Sequence, residues 1–417
     1  MPDMTIEGSL VLRSARNADD IDRCAEFNAR CNNAYEGATY AYLHKHFPGI
    51  DWRQALFVED TSANAVVATT CLIPWEFSFG GVTLKAAQLE MVLAHPEYRK
   101  RGLVRQLINR FMDELPLYGF DVSFIWGIPF YYRQYGYTYC HYGNMSEVLP
   151  ALNIPDDNNE PATFRRAVAD DAPALARLYD AYARRYQLHV KRGETQWRYQ
   201  INDAKHPVWI TGDADNYVTY WLPNADTIRV YECCADNFAA ASAVLQHLKR
   251  QTNGMIYING PSCSPLAKLA RDYSSKSALP EQWLLKITDI PMFFTKLAPV
   301  FEQRLRGSDC AGYNGDLIIN LYKQAFRLTF NNGALTAAEG LGFKDYSMGA
   351  DGGDLCIPAD AFTRLALGFR TLDTLTDAWP DIVVKTSKRY IVEALFPVVS
   401  AHVHAPYHYM GPIEKNN

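Results

Sequence analysis

No apolar run in this chain approaches the roughly eighteen residues that a membrane-spanning helix needs. Residues 1–10 also lack the basic-then-apolar plan of a secretory signal. Positive charge is not in excess: 41 Lys and Arg stand against 46 Asp and Glu, a formal net charge of −5, which argues against a nucleic-acid binder. Cysteine is present but without pattern. The nine cysteines are scattered, Cys233 and Cys234 are adjacent, and no C-x-x-C occurs. Neither a disulfide frame nor a zinc ribbon is expected, and the thiols are expected to stay reduced in a cytoplasmic protein. The rest is ordinary for a globular chain: 48% hydrophobic and 21% charged over 417 residues, enough for two or three domains.

The most organised stretch is 88–107, Q-L-E-M-V-L-A-H-P-E-Y-R-K-R-G-L-V-R-Q-L. Leu89, Met91 and Leu93 alternate with Glu90 and Val92, which predicts a strand with those three on one face. Pro96 has no N–H for a ladder and ends it. Arg99, Lys100, Arg101 and Gly102 follow, then Leu103, Val104, Leu107, Ile108, Phe111 and Met112 at helical spacing. A helix start leaves its first N–H groups unpaired and carries partial positive charge. Gly102 admits a close approach, and cations surround it, so strand, basic glycine turn and helix together suit a diphosphate. The same residues also suit a solvated basic turn before an ordinary amphipathic helix.

Upstream, residues 10–16 read as a strand, and Asp19 and Asp20 open a helix bearing Ile21, Cys24, Ala25 and Phe27. Residues 56–59 and 66–72 read as a strand pair, and 75–79 with 82–85 as a hairpin around Gly80-Gly81. Downstream, 122–127 is the next buried strand, 129–132 begins a short helix, and Tyr137 starts a last strand. Residues 149–161, with Pro150, Pro155, Pro161 and a polar run at 156–160, form a linker. The chain then starts again: Arg165-Arg166-Ala167 and Ala169-Asp170-Asp171 echo Arg13-Ser14-Ala15 and Ala18-Asp19-Asp20. Strands at 208–211, 217–221 and 228–233 would follow. After the last comes Ala235-Asp236-Asn237-Phe238, with neither the glycine nor the cations, so no second anion site is expected. From about 290 the plan changes to a hairpin at 325–337 turning on Asn331-Asn332-Gly333, a short strand at 355–357, helices at 361–368 and 371–378, and an apolar segment at 390–396 that is strand or helix.

Arg99-Lys100-Arg101-Gly102-Leu103-Val104 resembles the R/Q-x-x-G-x-G/A acetyl-CoA signature of the GNAT acetyltransferases. Tyr132-Arg133-Gln134-Tyr135-Gly136-Tyr137, about thirty residues on, resembles their Y-x-x-x-G-F/Y segment. The order of three units resembles the Eis (enhanced intracellular survival) acetyltransferases, whose loop commonly reads R-x-R/K-R-G-L/V and so accommodates Val104. The resemblance implies an α/β (α+β) chain of tandem GNAT acyl-CoA N-acyltransferase folds followed by a sterol-carrier-protein-like domain. The boundaries are 1–150 for the fold with the acetyl-CoA site, 162–290 for a degenerate copy that walls the substrate cleft, and 291–417 for the C-terminal domain.

The implied reaction is acetyl transfer from acetyl-CoA by direct attack of a primary amine, on a cationic small molecule (aminoglycoside- or polyamine-like) or a protein lysine. Lys100, Arg101, Gly102, Leu103, Val104 and Arg105 would bind the pyrophosphate. Val92, Leu93 and Ala94 would hold the pantetheine arm like an added strand, and Gly127 and Ile128 would also touch the coenzyme. Tyr132 matches the general acid, although among 26 tyrosines only its place in the motif distinguishes it from packing. The resemblance makes the terminal carboxylate, here that of Asn417, the base; Glu90 is the rival. Glu26, Glu36, Trp75 and Glu76 would make an acidic, aromatic acceptor cleft. His402-Val403-His404 with His408 has no nearby Cys or carboxylate to complete a set, and the chemistry needs no metal, so none is expected. Neither nucleic acid nor membrane is an expected partner, and the resemblance implies a homo-oligomer, a hexamer. A lipid- or ligand-binding protein run by its C-terminal domain, with a silent acetyltransferase fold, is the rival reading.

Overall fold

The computed structural model describes residues 2–143, 145–156, 162–212, 214–278, 281–345 and 352–408. The strand expected over 10–16 is Leu10–Ser14. The helix after it is Ala18–Cys31, where the Asn17 side chain accepts from the N–H of Asp20 and two acidic residues meet the positive helix end. The first sheet runs Met4–Glu7, Leu10–Ser14, Ala55–Asp60, Ala65–Phe79, Val82–Ala94 and Val122–Ile125 in spatial order, before two more strands. Gly80 and Gly81, at φ +56° and +89°, make the tight turn between its two longest members.

The separate strands expected at 66–72 and 75–79 are a single strand, Ala65–Phe79. It runs through Pro74 because that residue falls in a gap on one flank. Pairing with Ala55–Asp60 ends at Cys71, and pairing with Leu188–Lys191 begins at Glu76, so no ladder needs the missing N–H. Helix Ala34–His46 was not expected, since its tyrosines and histidines form no clean apolar stripe. It packs on Ala18–Cys31 at Gly37, where a Cβ would meet the Ala29 Cβ at 2.5 Å. These two helices cover one face of the sheet and Leu103–Leu117 covers the other.

The second sheet repeats the plan. Thr227–Cys234 and Met255–Gly260 run parallel around helix Phe238–Lys249, as Val82–Ala94 and Val122–Ile125 do around Leu103–Leu117. The expected strands are present as Val208–Thr211, Tyr217–Asn224 and Thr227–Cys234. The two sheets exchange a strand. Gln282–Ile287 inserts between Val122–Ile125 and Thr138–Tyr142 of the first sheet, while Met145–Pro150 inserts between Met255–Gly260 and Lys276–Ala278 of the second. Each sheet is thus completed by a strand from the other's stretch of sequence.

The last unit has a five-stranded sheet in the order Ala334–Gly342, Ala325–Asn331, Gly315–Asn320, Leu355–Cys356, Val383–Val384. Its expected hairpin turns at Asn332 and Gly333, both at positive φ. The segment at 390–396 is helical, Arg389–Leu395. Two helices not foreseen, Ile290–Lys296 and Ala298–Arg306, precede the sheet. The unit returns to the first sheet: Ala401–His402 pairs with Leu188–Lys191, which pairs with the end of Ala65–Phe79. Among the described residues no helix is long and apolar enough to cross a membrane.

Candidate active site

The site is organised by a fault in strand Val82–Ala94. Cys71 faces Glu90, but Thr69 faces Leu93, so two residues oppose one and Met91 takes φ +54°. The threonines opposite satisfy the disturbed carbonyls: Thr69 Oγ1 donates to Met91 O at 3.1 Å and Thr70 Oγ1 to Glu90 O at 3.0 Å. The bulge overturns the expected shared face of Leu89, Met91 and Leu93. Leu89, Val92 and Ala94 pack on the side of helix Leu103–Leu117, and Met91 and Leu93 on the opposite side. On the strand's other flank, parallel pairing stops at Gln88 opposite Phe124. Beyond it the two strands are no longer paired, which leaves an opening on this flank, and Glu90 and Ala94 each line a cavity.

Past this opening the chain passes through Lys100 (φ +64°) and Gly102 (φ +77°) into helix Leu103–Leu117. Gly102 is the N-cap and supplies no side-chain hydrogen bond, so the first N–H groups keep their donor capacity. Lys100, Arg101, Gly102, Leu103, Val104 and Arg105 line one cavity of about 500 Å³ together with Ala94, Tyr98 and Tyr131. Arg101 reaches Glu7 at 3.2 Å and lies over the Tyr98 ring. Tyr98 in turn donates to Asp60 at 2.9 Å. A diphosphate fits this donor set. The second sheet differs at the matching place, where Asn237 accepts from the Ala240 N–H and occupies the helix start with its own side chain.

Tyr132 is buried in the turn Tyr131–Tyr135, closed by Gly136 at φ +83°. Its ring lies against Gly127, where a Cβ would stand 2.2 Å from Cδ2. Burial, with the Glu90 charge adding to it, holds the phenol well above its ordinary pKa, so it is protonated at neutral pH. Ile128, expected beside the coenzyme, is exposed, and neither it nor Gly127 lines the basic cavity; the same holds for Val92 and Leu93.

On the other side of the bulged strand lies a cleft of about 820 Å³, built by all three units. Glu90 lines it, along with Glu36, Tyr35, Trp126, Tyr231, Trp283 and Tyr407. Glu90 accepts from Gln88 Nε2 and from the Tyr407 hydroxyl, each at 2.9 Å. Burial raises its carboxyl to about 7 against those two bonds, which pull it down, and Glu36 adds to the rise. Glu36 itself is raised by burial, with Lys205 opposing. Of the other acceptor residues expected, Trp75 acts indirectly, donating to Gln88 Oε1 at 2.7 Å. Glu76 pairs with Lys191 outside the cleft, and Glu26 is exposed.

His404 and His408 line the cleft as neutral rings, pushed down by burial to about 3 and about 4. His402 bonds Glu232 at 3.1 Å, a carboxylate that sequence order did not reveal. Among the described residues no group of three or more His, Cys, Asp or Glu could hold a metal ion. Asn417 and the rest of 409–417 lie outside the described residues. Gln88 and Tyr407 escaped sequence reasoning: Gln88 looks like any strand polar residue, and Tyr407 is 317 positions from its partner.

Residues 12–140, about a third of the chain, match the family described as acetyltransferase (GNAT) domain. No curated protein matches the chain in sequence. Three solved structures share the fold over nearly its whole length. A GCN5-related N-acetyltransferase from Kribbella flavida aligns at 18% identity and TM-score 0.68, over 96% of this chain and all of the other. A probable N-acyltransferase from Enterococcus faecalis V583 aligns at 15% and 0.75, over 97% and 100%. Eis1 from Mycobacterium abscessus aligns at 16% and 0.62, over 96% and 100%. Identities this low carry the fold alone, and what the family match adds is confined to residues 12–140. The chain therefore has GNAT folds in tandem, the first matching an acetyltransferase (GNAT) domain over residues 12–140, which marks it as an enzyme.

Proposed function

We propose that the protein moves an acetyl group from acetyl-CoA to a primary amine of a cationic small molecule, aminoglycoside- or polyamine-like, or of a lysine. The observation that carries this reading is one bulged strand, with a basic, uncapped helix start beyond its Ala94 end and, at the bulge, a carboxylate of pKa near 7 facing a cleft on its other side. The pyrophosphate would sit on residues 100–105, with the pantetheine arm along Val92, Leu93 and Ala94 and touching Gly127 and Ile128. The amine nitrogen attacks the thioester carbonyl and passes a proton to Glu90, whose pKa near neutrality suits a general base. The C–N bond forms, the C–S bond breaks, and the CoA thiolate takes a proton from Tyr132. The Asn417 carboxylate is the second candidate for base, reached from a segment whose last described residue, His408, lines the cleft. The C-terminal unit, sterol-carrier-like in this reading, would deliver that segment. Assembly as a homo-oligomer (a hexamer, by the Eis resemblance) and a cytoplasmic setting complete the proposal.

The test is release of CoA thiol from acetyl-CoA in the presence of aminoglycosides, polyamines and lysine peptides. Turnover with at least one amine is expected. A flat response across the panel, with acetyl-CoA bound, would remove the acetyltransfer reading.

A further inference from the structure

Each oxygen of the Glu90 carboxylate accepts a side-chain bond, and the Met91 backbone N–H also acts on the group. Oε1 takes Gln88 Nε2, whose amide is oriented by Trp75 Nε1 donating to its own oxygen at 2.7 Å. Oε2 takes the hydroxyl of Tyr407, which arrives from the far end of the chain. That tyrosine is itself held. The residue is only 8% exposed, its ring stacks on His408, and its carbonyl accepts from the Tyr199 hydroxyl of the second fold at 2.5 Å. One side chain therefore ties the C-terminal segment and the second fold to a carboxylate on the bulged strand of the first.

We infer that Tyr407 is a positioning residue for acetyl transfer: its hydroxyl holds one oxygen of Glu90 and favours the ionised carboxylate, while the oxygens keep lone pairs to take the amine's proton. This inference rests on Glu90 serving as the base. The titratable groups whose charges act on Glu90 or feel it are Glu36, Cys71, Tyr132, Tyr137 and Tyr407. Of these only Tyr407 is hydrogen-bonded to the carboxylate among the described residues. Glu36 acts in the opposite sense, opposing ionisation by like charge. Removing the Tyr407 hydroxyl deletes a donor to the charged form, so the midpoint of Glu90 must rise and the basic form must appear only at higher pH.

The experiment uses the full chain labelled with 13C at the glutamate carboxyls. The Glu90 signal is the one missing from Glu90→Gln. Tyr407→Phe is expected to move its titration midpoint up by about one pH unit. Tyr199→Phe, which loosens the same segment without touching the carboxylate, is expected to leave the midpoint in place. A midpoint that stays or falls in Tyr407→Phe would overturn the inference, and so would equal movement in both variants, which assigns the effect to seating of the segment. Turnover of Glu90→Gln in the thiol-release assay tests the base separately. Full turnover there removes Glu90 from the chemistry. Lost turnover with an unmoved Tyr407→Phe midpoint defeats this inference alone.

Discussion

Gly127→Ala should disable the enzyme through a residue that performs no chemistry. A Cβ at this position would stand 2.2 Å from Tyr132 Cδ2 and 2.4 Å from Cε2, where ordinary contact begins near 3.4 Å. The ring must therefore withdraw by about 1.2 Å. It has little room, because Tyr131 and Tyr137 meet it edge-on with centroids 5.1 and 6.3 Å away. Overpacking of this kind costs about 1–3 kcal/mol of stability, which a denaturant midpoint would register. If Tyr132 is the proton donor, as proposed, displacing it by about 1 Å should cost on the order of a hundredfold in kcat. If the loss runs through the phenol, the Gly127→Ala/Tyr132→Phe double variant should be no slower than Tyr132→Phe, a strongly non-additive cycle. Steady-state CoA release measures all three variants. Wild-type turnover by Gly127→Ala, or fully additive losses, would refute the argument that this glycine exists to seat Tyr132.

Three further outcomes are expected. Tyr132→Phe should lower kcat by about 10²–10⁴ with acetyl-CoA affinity nearly unchanged; equal loss of both would assign Tyr132 to packing. Arg101→Glu should weaken acetyl-CoA binding by about tenfold or more in calorimetry, since a charge-assisted contact becomes a repulsion beside Glu7; unchanged affinity would detach the basic turn from the phosphates. Glu232→Leu should destabilise the protein by about 3–5 kcal/mol, because it strands the buried guanidinium of Arg192 between the Tyr179 and Trp197 rings. An unchanged chemical-denaturation free energy would show that the pair is not the lock it looks.

Local pattern was enough for much of this molecule. The basic glycine turn, the helix after it, the restart at Arg165 and the Asn332-Gly333 hairpin each follow from residues that are close in sequence, because capping, positive φ and periodicity act within a few positions. The unlike helix starts are equally local: Gly102 leaves N–H groups open and Asn237 closes its own. Periodicity failed where a single residue broke it. The bulge at Met91 could not be read from Leu89, Met91 and Leu93, since an inserted residue is defined by the strand opposite. The strand exchange, the neutral histidines and the bond from Tyr407 to Glu90 belong wholly to the tertiary structure. Sequence alone puts a glycine, cations and an open helix start side by side; only folding decides which carboxylate loses enough water, and gains which donors, to hold a proton near pH 7, because desolvation and long-range contacts have no local signature.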